Sequence, residues 1–275
     1  MKIYIMTDLE GVAGVQNSGD WCSPESRYYE TGKELLTREV NAAIEGFFAG
    51  GATEIVVADG HGCGAINPVL LNNRAELIAQ WFSPAYPFLL DESYDAVAWV
   101  GQHARSRTEY SHLTHTGGFS VYEYTINGMA VGEFEEIALC AAELGVPSIF
   151  GSGDAAFAKQ AKEFSAAIET VAVKRGTRPG RGDECDADAY RMRNRSAIHF
   201  HPEKARALIR AGAEKALRRF VAGKNDFKIV LPKPPYELIR CLRPDKTNPG
   251  RISRVTHPSS FIALLNADVE WKPRD

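Results

Sequence analysis

The sequence predicts an α/β fold: a three-layer α/β/α domain with a mostly parallel sheet, plus a smaller α+β C-terminal part. Near-continuous apolar segments of strand length alternate with helical patterns through the first half of the chain. That alternation is typical of a parallel sheet covered by helices on both faces. The 275 residues, 44% of them hydrophobic and 24% charged, suffice for one large or two moderate globular domains.

The elements of the first half follow from local patterns. A capping-box pattern at Thr31–Glu34 predicts the start of a helix that Gly50 and Gly51 end. Helical spacing also predicts a short helix over Arg74–Phe82 and a longer one over Gly132–Leu144. Runs rich in β-branched and aromatic residues predict four strands and, around Asn127-Gly128, a hairpin: Lys2–Thr7, Glu54–Ala58, Ala96–Val100, Pro147–Gly151, and the pair Tyr122–Ile126 and Met129–Val131.

The second half reads as a smaller α+β region. Pro202 opens a helix that extends through Phe220, and a further helix is predicted near Ser260–Ala267. Three strand candidates lie between or beside them: Phe227–Leu231, Tyr236–Leu242 and Ile252–Thr256. We expect an α/β domain over residues 1–175 and the α+β region over 196–275, with the boundary inside 174–200.

The polar stretch Lys174–Arg195 predicts a surface excursion or a domain joint. Its basic residues make a nucleic-acid contact conceivable. Tyr190 is its one aromatic residue, however, and the whole chain carries a net charge of −3. A solvated or subunit-contact loop is therefore favoured.

Composition excludes several classes of protein. A nearly balanced charge argues against nucleic-acid or membrane-surface binding through bulk positive charge. No apolar run approaches the roughly 20 residues that span a bilayer, and Asp8 comes too early for a signal peptide. The five cysteines are odd in number, scattered and without CxxC spacing, so we expect reduced thiols in the cytoplasm.

Potential metal ligands follow three of the predicted strands. Asp8 and Glu10 follow the first strand, His61 the second and His103 the third. The carboxyl ends of parallel strands open onto one edge of the sheet, where ligands bind, so these side chains should converge. If the chain is still extended at Asp8 and Glu10, both project to one side, and one carboxylate could bridge two ions.

The residue types fit a metal site of nitrogen and oxygen ligands. Carboxylates and imidazoles suit Zn²⁺, with Mn²⁺ or Co²⁺ as the alternatives. Glu133, at the start of a predicted helix, would add a third carboxylate, and three carboxylates largely neutralise two divalent ions. The competing interpretation is structural, because acidic residues at strand ends often serve as turn residues or helix caps.

Five motifs occur in an order that resembles the DppA-type D-aminopeptidase family of binuclear zinc metallopeptidases. The resemblance is strongest over residues 1–154. The motifs are Asp8-Leu-Glu-Gly-Val-Ala-Gly14, Asp59-Gly-His61, Gly101-Gln-His-Ala-Arg105, Thr114-His-Thr116 and Ile126-Asn-Gly-Met-Ala-Val-Gly-Glu133.

The resemblance implies a role for each matching residue. Asp8 would bridge two zinc ions, with Glu10 and His61 completing one ion and His103 and Glu133 the other. His115 would act directly in catalysis. His112 is its competitor for that role and otherwise a surface or substrate-contacting residue.

The resemblance also implies an activity and an assembly. The activity is hydrolysis of short peptides with N-terminal D-residues, such as D-Ala-D-Ala. The assembly is a ring-like homo-oligomer, with a decamer as the candidate size. Two other functions stay open: another binuclear hydrolase, either an amidohydrolase or a phosphoesterase, and a non-catalytic metal- or peptide-binding protein.

Three further residues are weaker candidates. Asp59 would orient His61 or serve only as a turn residue. Arg105 would bind a substrate carboxylate or form a structural salt bridge. Asp154 would line the site without contacting the metal.

Overall fold

The computed structural model of the protein describes residues 1–80, 85–227 and 229–274. Its larger sheet has seven strands in the order β3-β2-β1-β4-β7-β8-β9. All neighbouring strands are parallel except β8 and β9. The strands are β1 Lys2–Thr7, β2 Glu54–Ala58, β3 Glu76–Ile78, β4 Ala96–Gln102, β7 Ser148–Asp154, β8 Glu169–Gly176 and β9 Ala197–His199.

A second sheet is antiparallel and has the order β12-β11-β10-β5-β6. It combines the predicted hairpin with strands from the C-terminal part of the chain. Its strands are β5 Val121–Ile126, β6 Met129–Val131, β10 Tyr236–Leu242, β11 Arg251–His257 and β12 Lys272–Pro273. This sheet takes strands from both predicted domains, residues 1–175 and 196–275. The division into those two domains stays a prediction.

Helices cover both faces of the larger sheet, as the three-layer prediction requires. Ile3 and Ile5 of β1 face a core shared with α2 and α6, whereas Tyr4 and Met6 face a core shared with α3 and α4. The helices are α1 Ser18–Trp21, α2 Tyr29–Gly50, α3 Glu133–Glu143, α4 Ala155–Phe164, α5 Ala187–Arg193, α6 Pro202–Ala222 and α7 Phe261–Leu265. The predicted fold class is therefore confirmed.

Three local predictions were wrong. Residues 76–78 form β3, because pairing with the edge of β2 outweighs their helical spacing; Phe82, the end of that predicted helix, lies outside the described residues. Helix α2 begins at Tyr29, so Thr31 is already inside it. Phe227 ends a 3₁₀ turn and packs edge-on against Phe220 instead of opening a strand.

The polar stretch after residue 174 is more ordered than expected. Its first three residues belong to β8, and Lys174 is 3% exposed. Helix α5 follows within the same stretch. No helix in the described ranges is long and apolar enough to cross a membrane.

Candidate metal centre

The predicted ligands meet at the carboxyl edge of the larger sheet. Strands β2, β1 and β4 are neighbours, and His61, Asp8 and His103 follow them in that spatial order. Glu133 is the first residue of α3, which lies over the same end of the sheet. The convergence that the strand pattern predicts is thus observed.

Two glycines let the loops after β1 and β4 touch. Gly11 N donates to Gly101 O at 2.7 Å. A Cβ on Gly101, which has φ +80°, would lie 1.9 Å from Asp8 O, and one on Gly11 would lie 2.1 Å from Gln102 O. Because real Cβ atoms never approach so closely, any side chain here would push Asp8 away from the β4 loop.

Asp8 stands between two imidazoles, one on each carboxylate oxygen. Its Oδ1 is 3.3 Å from His61 Nδ1 and its Oδ2 is 3.1 Å from His103 Nε2. A second carboxylate accompanies each ring: Glu10 Oε2 lies 3.2 Å from His61 Nδ1, and Glu133 Oε2 lies 3.4 Å from His103 Nε2. The site therefore has two halves that share Asp8.

Backbone carbonyls orient both rings. His61 Nε2 lies 2.9 Å from Cys22 O, and His103 Nδ1 lies 2.8 Å from Ala104 O. A carbonyl can only accept, so each ring donates there. A neutral ring then turns the lone pair of its other nitrogen toward the carboxylates, as a metal-ligating histidine does.

The spacing fits a pair of ions. Two atoms that bind one tetrahedral zinc at about 2.1 Å lie about 3.4 Å apart, close to the separations across each half of the site. Ligand atoms of Asp8, Glu10 and His103 lie within 4.8 Å of one another, as do those of His103, His115 and Glu133. Among the described residues, Glu10 Oε2 and His103 Nε2 are buried with no hydrogen-bond partner.

The carboxylates of the site are held in the charged form. Burial alone raises the pKa of Glu133, but the neighbouring His103 outweighs it and lowers that pKa to about 2. The same opposition holds for Asp8, whose pKa His103 and His61 lower well below its usual range. Against the effect of burial, the same carboxylates raise the pKa of His103 and keep its ring protonated when no metal is bound, so a cation between the ligands would take the place of that proton.

His115 lies against this cluster without joining the Asp8 carboxylate. Its ring stacks on His103 with centroids 4.0 Å apart, and on Phe119 at 4.5 Å. Its Nδ1 donates to Leu113 O at 2.8 Å, and its Nε2 is 3.8 Å from Glu133 Oε1. Burial first, and then the charge of His103, lower the pKa of His115. The ring is therefore neutral, with Nε2 free to accept a proton.

A cavity of about 390 Å³ opens over the cluster. The polar side of its wall includes Asp8, His61, His115 and Glu133. The apolar part of the wall consists of four side chains that belong to, or pack against, the core beneath α3: Met6, Tyr86, Phe88 and Ile137. The wall of the cavity thus combines charged and apolar side chains.

The weaker candidates lie elsewhere. Arg105 pairs with Glu135 at 2.7 Å and lines a separate cavity of about 760 Å³. Asp154 is fully buried and caps α4 through Ala156 N. Asp59 accepts from the amides of Ala65 and Ile66. The substrate-contacting and orienting roles of these three residues stay predictions.

His112 is also remote from the cavity wall. It is fully buried, and its Nε2 donates to Gln16 O at 3.0 Å. Its amide donates to Asp154 Oδ2 at 3.1 Å. A substrate-contacting role for His112 stays a prediction.

Sequence reasoning missed three contacts at the site. Gln102 Nε2 donates to Asp8 Oδ2 at 3.3 Å, and Gly117 N donates to Glu133 Oε1 at 2.6 Å. The third is the Cys22 carbonyl on His61. Gln102 lies next to His103 within the Gly101–Arg105 motif, so its place near the site could have been predicted from the sequence. The contacts of backbone groups such as Gly117 N and Cys22 O cannot be predicted from residue types.

Comparison with known proteins shows which family the chain resembles. The profile of the D-aminopeptidase family M55 matches residues 1–247. The D-aminopeptidase of Bacillus subtilis (strain 168) is 32% identical over 181 residues, which are 63% of this chain and 64% of that protein, slightly less than two thirds of its length. A solved structure of the Zn-dependent D-aminopeptidase DppA from Bacillus subtilis, described as a self-compartmentalizing protease, superposes with a TM-score of 0.76. That match has 27% identity over 88% of this chain and 81% of the other. By its profile match and by its fold, the chain belongs to the D-aminopeptidase family M55.

Proposed function

We propose that the protein is a zinc-dependent aminopeptidase that hydrolyses short peptides, with a preference for N-terminal D-residues. One observation carries the proposal: the Asp8 carboxylate is shared between two halves, each with one imidazole and one further carboxylate. Relatives named as D-aminopeptidases, one of them as Zn-dependent, support the same reaction.

The residues fit two zinc ions. Asp8 would bridge them, Glu10 and His61 Nδ1 would complete one, and His103 Nε2 and Glu133 would complete the other. When bound, such a pair lowers the pKa of a coordinated water and polarises the scissile carbonyl. Mn²⁺ and Co²⁺ suit the same ligand types.

His115 supplies the proton-transfer group of the proposed mechanism. Its Nδ1–H is fixed by Leu113 O, so Nε2 faces the Glu133 side of the cavity as a base. Stacking between His103 and Phe119 fixes the plane of the ring. After taking a proton, the same nitrogen can donate it to the leaving amine or to the developing oxyanion.

The remaining wall residues would bind the substrate. Carboxylates in the cavity attract the free α-amino group that defines an aminopeptidase substrate. The apolar side chains of Met6, Phe88 and Ile137 in the same wall would exclude water and offer a surface for an apolar side chain of the substrate.

We also propose that the chain forms a ring-like homo-oligomer, with a decamer as the candidate size, that restricts access to small peptides. The self-compartmentalizing description of DppA supports this assembly, and sedimentation of the purified chain tests it. We further propose that the chain works in the cytoplasm. Its cysteines, all of them in the described ranges, are unpaired, as a reducing compartment requires.

The function is tested by assaying matched D- and L-aminoacyl p-nitroanilides beside p-nitrophenyl phosphate, with and without a chelator. We expect turnover of the D-aminoacyl substrate, loss of that turnover in chelator, and recovery with zinc. Turnover of the phosphate ester alone would instead assign a phosphoesterase. Undiminished peptidase activity after complete zinc removal would contradict the proposed mechanism.

A further inference from the structure

The loop after β1 connects both sides of one half of the metal centre. We call residues 8–22 the ligand loop. It begins with Asp8 and Glu10, and it ends at Cys22, whose carbonyl orients His61. Any displacement of this loop would therefore move the Glu10 carboxylate and release the His61 ring at the same time.

The middle of the ligand loop is held by side chains from distant parts of the chain. Glu39 Oε1, on α2, accepts from Ala13 N at 2.9 Å. His199 Nδ1, at the end of β9, accepts from Gly14 N at 3.1 Å. These two bonds fix the amides of consecutive residues.

The next two residues are fixed through their carbonyls. Lys174 Nζ, on β8, donates to Val15 O at 3.3 Å. His112 Nε2, in the segment between β4 and β5, donates to Gln16 O at 3.0 Å. Four consecutive residues thus each receive one side-chain hydrogen bond, and every bond comes from a different element. We call the four side chains the loop clamp.

Burial makes the loop clamp a costly arrangement for a simple surface loop. Glu39, His112 and Lys174 are at most 3% exposed. The rings of His112 and His199 meet edge to face, with centroids 5.3 Å apart. Charged and polar side chains such as these normally lie at the surface. Their burial against a single loop indicates that the position of that loop matters for function.

We propose that Glu39, His112, Lys174 and His199 are positioning residues that hold the ligand loop where Glu10 and His61 share one metal ion. None of them belongs to the proposed ligand set, and none lines the cavity over the cluster. The inference rests on the proposed function, because that function assigns Glu10 and His61 to a metal.

The first test is made at Glu39 with a matched pair of variants. Glu39→Met removes the acceptor of Ala13 N, whereas Glu39→Gln keeps an oxygen there. The amide hydrogen–deuterium exchange rates of residues 8–22 report how firmly the ligand loop is held, both with and without bound metal. Zinc release from the zinc-loaded full chain into excess chromogenic chelator reports the site. Partners that orient metal ligands typically alter metal affinity by about 10- to 100-fold.

We expect faster loop exchange and about tenfold faster release of one of the two zinc ions in Glu39→Met. Glu39→Gln should stay close to the parent chain in both measurements. Unchanged loop exchange in Glu39→Met would overturn the clamp itself. Faster exchange with unchanged zinc release would overturn its positioning role.

A second variant covers the case in which Glu39→Met does not fold. Lys174→Met removes the bond to Val15 O, and Lys215→Met is its control, because Lys215 is an exposed lysine that pairs only with Glu169 among the described contacts. We expect faster zinc release in Lys174→Met alone, and equal release rates in the two variants would overturn the proposal. A parent chain that holds no zinc would contradict the proposed function, while loop exchange would still test the clamp.

Discussion

At the scale of single residues, the two histidines between β4 and β5 have different surroundings. His115 faces the cavity and stacks on His103, whereas His112 is buried behind the ligand loop. They lie only three positions apart, so spacing alone could not separate their roles. The direction in which each ring nitrogen points is what distinguishes them.

His115→Gln should lower kcat by about 10²- to 10⁴-fold, the usual contribution of a positioned acid or base. Zinc content should remain that of the parent chain, because the Asp8-centred ligand pairs are untouched. Kinetics with a D-aminoacyl p-nitroanilide and elemental analysis of the same sample check both expectations. His257→Gln, a change at a half-buried histidine outside the wall of the cavity, is the control. A His115→Gln chain with parental kcat would remove His115 from the mechanism.

Glu39 gives a pH prediction of definite sign. Burial, only partly opposed by its bond from Ala13 N, raises its pKa to about 7. The folded state then binds the proton more tightly than the unfolded state. The stability linked to that proton is complete below about pH 4.5 and is lost as the pH rises through 7, by on the order of 3 kcal/mol.

Glu39→Gln stays uncharged throughout this range. The free energy of unfolding of Glu39→Gln, relative to the parent chain, should therefore increase between pH 5 and pH 8. Urea denaturation of both chains at the two pH values measures the change. Glu34→Gln, on the exposed side of α2, provides the baseline. A difference independent of pH would show that Glu39 titrates normally.

At the scale of elements, the C-terminal region supports the cavity wall. Asn266, just after α7, bonds both backbone groups of Tyr86: Tyr86 N donates to Asn266 Oδ1 at 3.1 Å, and Asn266 Nδ2 donates to Tyr86 O at 2.8 Å. Tyr86 Oη also donates to Glu136 Oε2 on α3 at 2.7 Å. The Asn266 side chain thus connects the C-terminal region to Tyr86, a residue of the cavity wall.

Asn266→Ala should raise KM several-fold and change kcat less, because it frees the wall at Tyr86 and Phe88 but leaves the proposed ligands in place. Two lost hydrogen bonds of about 1 kcal/mol each set the upper limit of the effect near 30-fold. Steady-state kinetics with two D-aminoacyl substrates of different side-chain size checks this. Asn248→Ala, in an exposed turn, is the control. An equal fall in kcat and in kcat/KM would place the effect on the metal centre instead.

The elements also explain what the sequence could and could not predict. The apolar strands that are followed by Asp8 and His103 made both the sheet and the position of the site predictable. At the end of each strand, the sequence changes from buried apolar residues to polar ones. Strand β8 was missed since Lys174, a buried residue, looks like surface in a sequence. The side chains of the loop clamp bind backbone groups of the ligand loop, and such contacts leave no sequence signal, so the clamp could be found only in the structure.

At the scale of the whole molecule, the fold places the site where three structural units meet. Three neighbouring strands of the larger sheet, β2, β1 and β4, lead into His61, Asp8 and His103. Helix α3 supplies Glu133, and the second sheet region supports Tyr86. Bringing these parts together is a consequence of long-range pairing. Loss of either sheet would therefore disable the site without any change in its ligands.

The proposed bridging of two metal ions by Asp8 can be tested by anomalous diffraction at the zinc absorption edge from crystals of the zinc-loaded chain. We expect two peaks per chain. One should lie about 2.1 Å from Asp8, Glu10 and His61 Nδ1, and the other about 2.1 Å from Asp8, His103 Nε2 and Glu133. A single peak, or two peaks whose ions do not both contact the Asp8 carboxylate, would rule out the bridge.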